Sequence, residues 1–252
     1  MAKRIVAGNW KTYIESRSDA RAFALALRRK ARSLSGVDVF IAPPFILLPE
    51  LEEVLRSSPI KVGAQGVSPY TAGAHTGDVS AAMLKDAGAL FAIIGHSEER
   101  AAGTTNEMVR GSLERAVEKN IIPILCIGER ERESEGEHFD FIEAQLTTAF
   151  KHFPGKLTKL IIAYEPVWAI GKKAEEAMGP QELHQMSIFI RKVLTEIMGR
   201  TQALKVPVLY GGSVDETNAQ LLLQEGGVAG FLLGRASTDI DTFLTIINIC
   251  RR

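Results

Sequence analysis

Eight short apolar stretches alternate with longer amphipathic stretches along the whole chain. The apolar stretches predict β-strands at Ile5 to Gly8, Val37 to Ala42, Lys61 to Gln65, Phe91 to Gly95, Ile122 to Ile127, Leu160 to Tyr164, Val206 to Tyr210 and Gly230 to Leu233. The amphipathic stretches predict helices at roughly 17–33, 46–57, 80–88, 106–119, 138–152, 180–199, 215–225 and 237–249. Asn106 and Asp215 are predicted helix caps, and Pro180 lies in a predicted first turn. Strict alternation of strands and helices favours a parallel sheet.

Two α/β architectures fit this alternation. Strands with β-branched runs are expected to be covered by helices outside and to fill the interior themselves, which predicts a (β/α)8 barrel of eight parallel strands. An open doubly wound sheet is the alternative, but it usually has a glycine-rich turn after the first strand. Here Gly8 is followed by Asn9, Trp10 and Lys11. No linker or repeat divides the chain, so residues 1–252 are predicted to form one domain.

The composition limits the choice of partners. With 30 basic and 30 acidic residues, no overall field favours nucleic acid or an anionic membrane, and an anionic ligand must be bound by local groups. The apolar stretch after Arg4 is too short for a signal peptide, and no stretch reaches the roughly 18 residues of a membrane span. Cys126 and Cys250 predict buried free thiols and no zinc site. We expect a cytoplasmic protein.

A single acid, Glu165, follows the sixth predicted strand directly. The stiff apolar segment behind it, which includes Pro166 and Trp168 and ends at Gly171, has the character of a lid. A carboxylate between a buried strand and an apolar lid is costly unless it is paired or functional. This layout indicates a general base.

Other chemically active residues follow further predicted strands. In a (β/α)8 barrel, catalytic groups come from the carboxyl ends of several strands. The residues at these positions are Asn9, Lys11, His96, Ser97, Glu98, Gly211, Gly212, Ser213, Gly234 and Arg235. Taken alone, the lysine fits a solvated surface, the histidine fits a core, and the glycines fit turns. Their coincidence at one end of a barrel favours a shared site.

These groups suit proton abstraction beside a carbonyl in a small phosphate ester. Backbone amides of the glycines and serine after strands seven and eight can bind a phosphate, and Lys11 adds a positive charge without a metal. Glu165 would then remove a carbon-bound proton. His96 and Asn9 would donate hydrogen bonds to oxygens that gain negative charge.

The chain closely resembles the triosephosphate isomerases, which are TIM barrels, from Ala7 to Ser237. The resemblance lies in Gly8 to Lys11, Ala64-Gln65, Thr76-Gly77, Ile94 to Glu98, Cys126 to Glu129, Ala163 to Gly171 and Tyr210 to Val214. It implies that Glu165 moves a proton between the first two carbons of dihydroxyacetone phosphate and glyceraldehyde 3-phosphate. It also implies a neutral His96 imidazole, polarisation by Asn9 and Lys11, and support of Lys11 by Glu98.

The resemblance implies further binding residues, no metal and no organic cofactor. The implied phosphate donors are the backbone amides of Gly171, Ser213, Gly234 and Arg235. Ile170 and Leu232 are expected to close over Glu165 and exclude water. Tyr210 and Ser213 are expected to hydrogen-bond the closed lid.

The loop from Gly66 to Val79 is long enough to suggest a function. In the family it projects into a second subunit, so the resemblance implies a homodimer in which Thr76 lies beside Asn9 and Lys11 of the partner subunit. Without the family, the same loop is equally compatible with a lid or a disordered insert.

Three segments depart from the family pattern. Lys172 to Gly179 replaces a shorter hinge that begins Thr-Gly-Lys. Where the family often has two arginines, an aromatic residue and a Gly-Glu pair, Glu99 to Thr104 has lost packing and a carboxylate, which predicts a looser dimer-side network. Arg235 stands where many relatives have glycine. The charged run from Glu129 to Glu137 predicts a solvated loop and helix entrance. The remaining alternatives are a catalytically weakened phosphate-ester-binding barrel and another sugar-phosphate barrel enzyme.

Overall fold

The protein was analysed as a computed structural model that describes residues 3–132, 136–153, 159–172 and 177–251. Eight parallel strands form one sheet in the order β3-β2-β1-β8-β7-β6-β5-β4. They are β1 Arg4–Asn9, β2 Val37–Ala42, β3 Lys61–Val62, β4 Phe91–Ile94, β5 Ile122–Ile127, β6 Ile161–Tyr164, β7 Val208–Tyr210 and β8 Gly230–Leu233. The two ends of the sheet meet at Ala64, whose amide donates to the Phe91 carbonyl at 2.9 Å. The sheet therefore closes into the predicted barrel.

Helices surround the sheet. They are α1 Arg17–Lys30, α2 Leu48–Leu55, α3 Ala81–Asp86, α4 Ser97–Ala101, α5 Asn106–Glu118, α6 Glu137–Phe150, α7 Pro180–Met198, α8 Arg200–Ala203, α9 Ala219–Glu225 and α10 Ile240–Arg251. In the described part of the chain no helix has the length and apolar character needed to cross a membrane.

The barrel has a double core because successive strand residues point to opposite faces. In β1, Val6 belongs to the larger core between strands and helices, whereas Ile5 and Ala7 belong to the core inside the barrel. Phe40 and Phe91 cross the barrel interior edge to face, with ring centroids 5.0 Å apart. This packing fixes the strand ends from which the candidate site is built.

Strand β3 is shorter than predicted. It ends at Val62, and Gln65 is not part of it. A Cβ at Gly63 would lie 2.3 Å from the Phe91 ring, so the chain passes too close to β4 for an ordinary side chain. The Gln65 side chain instead donates to the carbonyl oxygens of Lys11 and Ala42, which joins the first three strand ends.

Two predicted helix caps are wrong. Thr105 precedes α5 and accepts the Met108 amide through its hydroxyl, so Asn106 is the first helical residue. Asp215 accepts amides in the turn before α9, which begins only at Ala219.

Candidate active site

A cavity of about 650 Å³ opens at the carboxyl ends of the strands. Of the predicted site residues, Ser97, Glu98 and Tyr210 do not line it. Those that do are Asn9, Lys11, His96, Glu165, Ile170, Gly171, Gly211, Gly212, Ser213, Leu232, Gly234 and Arg235. Glu98 lines a neighbouring cavity of about 210 Å³, which it shares with Asn9, Lys11 and His96. The barrel thus brings residues from five strand ends to one site.

The Glu165 carboxylate is 2% exposed and held from two sides. Its Oε1 lies 3.2 Å from Nε2 of His96, and its Oε2 accepts the Ser97 amide at 3.1 Å. Glycine is required next to it, because a Cβ at Gly211 would lie 2.7 Å from the Glu165 Cγ. A Cβ at Gly128 would lie 1.8 Å from the backbone oxygen of Glu165. The two glycines fix the position of the carboxylate.

The His96 ring has a defined tautomer. Its Nδ1 accepts the Glu98 amide at 3.2 Å at the start of α4, so Nδ1 carries no proton and the neutral ring is protonated on Nε2. Burial lowers the pKa of His96, whereas the negative charge and hydrogen bond of the Glu165 carboxylate raise it. The net result is a His96 pKa above its ordinary value. This raising influence depends on direct contact with Glu165. A substrate oxygen between the two side chains would weaken it, while burial and the amide contact persist and favour the neutral imidazole.

Lys11 reaches the cavity from a strained backbone. Its φ is +47°, a left-handed conformation that costs on the order of 1 kcal/mol in a non-glycine residue. The Lys11 amide donates to Oδ1 of Asn9, and its carbonyl accepts from Gln65, which holds the conformation. The ammonium lies 2.7 Å from Oε1 of Glu98. It also lies near Gly234, where a Cβ would be 3.9 Å from Nζ.

The turns after β7 and β8 form the wall of the cavity that continues from Glu165 towards Lys11. Gly234 begins a tight 3-10 turn, and the Ser237 amide and hydroxyl both donate to its carbonyl oxygen. The Ser213 hydroxyl donates to the Ala169 carbonyl at 2.9 Å, so the turn after β7 is tied to the lid. Arg235 is exposed, which leaves its side chain at the rim of the cavity.

The second half of the predicted lid is only partly described. Residues 173–176 of the Lys172 to Gly179 segment lie outside the described residues. Tyr210 is fully buried, and burial raises the pKa of its hydroxyl, which keeps it neutral. The hydroxyl faces the Met178 amide, yet in the described residues it makes no hydrogen bond of normal geometry. The expected bond from Tyr210 to the lid remains a prediction.

One charged residue was wrongly predicted to be solvated. Glu129 is 2% exposed and accepts hydrogen bonds from the Tyr164 hydroxyl and the Trp168 indole, both at 2.9 Å. The sequence did contain a signal that Glu129 belongs to the interior, because it lies just after strand β5, as Glu165 lies just after β6. The sequence alone did not indicate that Gln65 has a position in the site, and it did not predict the bond from the Ser97 amide to Glu165.

The segment after His96 is held by two charged side chains. Glu99 accepts the His96 amide, and burial raises the pKa of its carboxyl group. Arg100 donates to the carbonyl oxygens of Gly95 and Cys126 and to the Asn106 side chain. A cavity of about 380 Å³ borders this segment.

The loop from Gly66 to Val79 is folded and protrudes. Residues 70–78 are all exposed, whereas the preceding residues Val67 and Ser68 are buried. Tyr70 stacks on His75 with ring centroids 4.2 Å apart, and the Ser68 hydroxyl donates to Asp78. Thr76 is exposed near the tip.

Within the described ranges, no group of three or more histidine, cysteine or acidic side chains is arranged to hold a metal ion. Cys126 and Cys250 are buried free thiols, as predicted, and burial raises the pKa of each.

Comparison with known proteins matches nearly the whole chain to one protein family. The model of the family described as triosephosphate isomerase matches residues 4–250. A triosephosphate isomerase of Thermus thermophilus is 40% identical over 252 residues, which cover 99% of each chain. One from Carboxydothermus hydrogenoformans is 38% identical over 250 residues, 98% of each chain. One from Dehalococcoides mccartyi is 37% identical and covers 100% of this chain and 97% of its own.

Proposed function

The chain belongs to the triosephosphate isomerase family, and we propose that it interconverts dihydroxyacetone phosphate and D-glyceraldehyde 3-phosphate with Glu165 as the base. The reaction passes through an enediolate. One observation carries the assignment of roles: Glu165, His96 and Lys11 border one cavity, with Oε1 of Glu165 3.2 Å from Nε2 of His96. The comparisons do not favour a weakened binding barrel or another sugar-phosphate enzyme.

Binding begins with the phosphate. Backbone amides of Gly171, Ser213, Gly234 and Arg235 donate to its oxygens, because these residues line the same cavity as Glu165. The Lys11 ammonium, close to Gly234, neutralises part of the phosphate charge. Anchoring this end places the carbon acid next to the carboxylate, which lowers the entropic cost of the reaction.

Proton transfer then takes place between Glu165 and the first two carbons. To reach carbon, the carboxylate exchanges its contacts with the Ser97 amide and the His96 ring for contacts with substrate. The Nε2–H of neutral His96 donates to the substrate oxygens as they gain charge. Oδ1 of Asn9 accepts the Lys11 amide, which leaves the Asn9 amide nitrogen as a second donor.

The lid increases the basicity of Glu165. Ile170 and Leu232 border the cavity and cover the carboxylate with apolar surface when the lid closes. Removing water from a carboxylate disfavours its charged form and makes it a stronger base. The bond from Ser213 to Ala169 ties the first part of the lid to the phosphate wall.

A coupled assay of Glu165→Gln tests the assignment. We expect the purified parent to convert both triose phosphates and the variant to lose about 100- to 10,000-fold in kcat, the factor that general base catalysis typically contributes. Glu143→Gln removes the same charge from an exposed position on α6 and serves as the control. A folded parent without isomerase activity, or a Glu165→Gln enzyme as active as the control, would refute the assignment.

The protruding loop supports a homodimer. Thr76 is exposed, and the 210 Å³ cavity beside Asn9 and Lys11 has room for a loop tip. Phe45 borders that cavity, and the adjacent Ile46 is 82% exposed. Ile46→Glu should shift the sedimentation coefficient from that of a dimer to that of a monomer and lower kcat. A fully active monomeric parent would contradict the proposal.

Three broader features complete the proposal. Residues 1–252 form one barrel domain, the protein acts in the cytoplasm, and the reaction uses no metal or organic cofactor. Because the formal net charge is zero, no overall field attracts nucleic acid or an anionic membrane, and the proposed partners are triose phosphate and a second copy of the chain.

A further inference from the structure

A cavity of about 320 Å³ opens at the amino ends of the strands, and we call it the amino-end cavity. Its lining includes Ile5, Lys61, Ile122 and Ile161, each the first or second residue of its strand. Because the strands are parallel, this cavity lies at the opposite end of the barrel from the candidate active site. Along β1, Ile5 is about 13 Å from Asn9, at about 3.3 Å per residue. The two cavities share no lining residue.

The floor of the amino-end cavity is apolar. Ile5, Phe40 and Ile161 belong to the core inside the barrel, and the half-buried Ile122 packs against that core. The edge-to-face contact with Phe91 fixes the Phe40 ring. An apolar surface that is held in shape and lines a cavity can bind the apolar part of a ligand, because binding removes both surfaces from water.

The rim of this cavity carries positive charge. Lys61, Lys159 and Lys205 line the cavity, and Asp38 is the only acid among the described residues that do so. Three lysines and one aspartate give a formal charge of +2, although the chain as a whole has a formal net charge of +0. A local excess of positive charge beside a wall of low dielectric constant attracts anions.

The three lysines have different surroundings. Nζ of Lys61 lies 3.0 Å from Oδ1 of Asp38 and 4.8 Å from the centroid of the Phe40 ring, so its charge is already paired and its side chain lies along the floor. Lys159 and Lys205 are exposed, and in the described part of the chain neither has a carboxylate oxygen within 4.0 Å. These two ammonium groups are therefore available to a bound anion.

We propose that the amino-end cavity binds a small aromatic carboxylate. The flat rings lie on the floor beside Phe40, and the carboxylate faces Lys159 and Lys205. A carboxylate suffices as the head group, because a lysine ammonium is a point charge that imposes no particular shape on the anion. A cavity of about 320 Å³ is at the lower end of the range for small-molecule sites, which limits the ligand to one or two fused rings. This site does not depend on the proposed isomerase function.

Ligand-observed proton NMR with 2-naphthoate tests the proposal. We expect saturable binding with a Kd on the order of 1 mM or below, as is usual for a ligand of this size. Two related probes separate the contributions of the rings and the charge. Acetate, the head group without the rings, should bind at least about 100-fold more weakly, because little apolar surface is buried. 2-Naphthalenemethanol, the rings without the charge, should bind about fivefold more weakly.

Charge reversal tests the rim. Lys205→Glu replaces attraction by repulsion and should raise the Kd of 2-naphthoate about tenfold, and Lys159→Gln should raise it about threefold. Lys192→Glu makes the same change at an exposed position on α7 outside the cavity, and should leave the Kd within about twofold of the parent. The effect of Lys205→Glu should shrink at high salt. Thermal unfolding shows whether each variant is folded.

Competition locates the bound probe. 2-Phosphoglycolate, a phosphate-bearing carboxylate suited to the candidate active site, should leave the Kd of 2-naphthoate within about twofold of its value, because the two cavities lie at opposite ends of the barrel. Displacement of 2-naphthoate by 2-phosphoglycolate would overturn the proposal.

Other results would also overturn it. These are the absence of saturable binding, acetate or 2-naphthalenemethanol binding as tightly as 2-naphthoate, and a folded Lys205→Glu protein whose Kd matches that of Lys192→Glu. If Lys205→Glu does not fold, a folded Lys159→Gln protein with the Kd of the parent overturns the proposal instead. An inactive parent that binds 2-naphthoate with this charge dependence would refute the isomerase assignment alone.

Discussion

Replacing Gly211 by alanine should displace the proposed base without removing it. The added Cβ would lie 2.7 Å from Cγ and 3.3 Å from Oε1 of Glu165. Carbon atoms in ordinary contact are about 3.5–4.0 Å apart, so the Glu165 side chain must move by about 1 Å. A misplacement of that size can cost on the order of 100-fold in rate. We therefore expect kcat of Gly211→Ala to fall about 100-fold.

The binding of substrate should change much less than turnover, because the proposed phosphate donors are the backbone amides of other residues, Gly171, Ser213, Gly234 and Arg235. A coupled assay of kcat and KM, together with thermal unfolding, measures both effects. Gly179→Ala is the matched control, since no atom of the described residues lies within 4 Å of its added Cβ and its φ is −70°. A stable Gly211→Ala enzyme whose kcat is within threefold of the parent would refute the position assigned to Glu165.

Three other changes test separate parts of the site. Glu165→Asp retracts the carboxylate by roughly 1 Å and should lower kcat about 100-fold at similar KM, and unchanged steady-state kinetics would remove Glu165 from the base role. Lys11→Met should raise the Ki for 2-phosphoglycolate by about 100-fold or more, and normal affinity would refute charge neutralisation by Lys11. Burial raises the pKa of Glu99 above 4.5, so its ionisation costs stability as the pH rises through that raised pKa. Glu99→Gln keeps the acceptor for His96 and should have the higher Tm at pH 8, with the difference vanishing below pH 4.5; a lower Tm at pH 8 would contradict this.

The strands were predictable where both faces are buried. The bounds of β2, β5 and β8 agree with the sequence prediction, and nearly all residues of these strands are buried. The predicted strand β3 was too long, because at Gly63 the chain passes very close to Phe91, which is far away in the sequence, and the strand ends at Val62. Helix α4 was not predicted, since five residues of which none is buried give no hydrophobic period.

The location of the site was predictable for a topological reason. Residues that follow parallel strands meet at one end of a barrel, and this rule brought Lys11, His96 and Glu165 together. The rule does not specify which side chains pair. The bond of Gln65 to Lys11 and the burial of Glu129 depend on distances between different strand ends, which the sequence does not contain.

Hydrogen exchange at carbon tests the central claim most directly. The parent protein, incubated in D2O with dihydroxyacetone phosphate, should incorporate deuterium at the first two carbons of the triose phosphates, as measured by proton NMR. Glu165→Gln should abolish this incorporation and Glu143→Gln should not. Incorporation that persists in a folded Glu165→Gln protein, or that never occurs in the folded parent, would contradict proton transfer by Glu165.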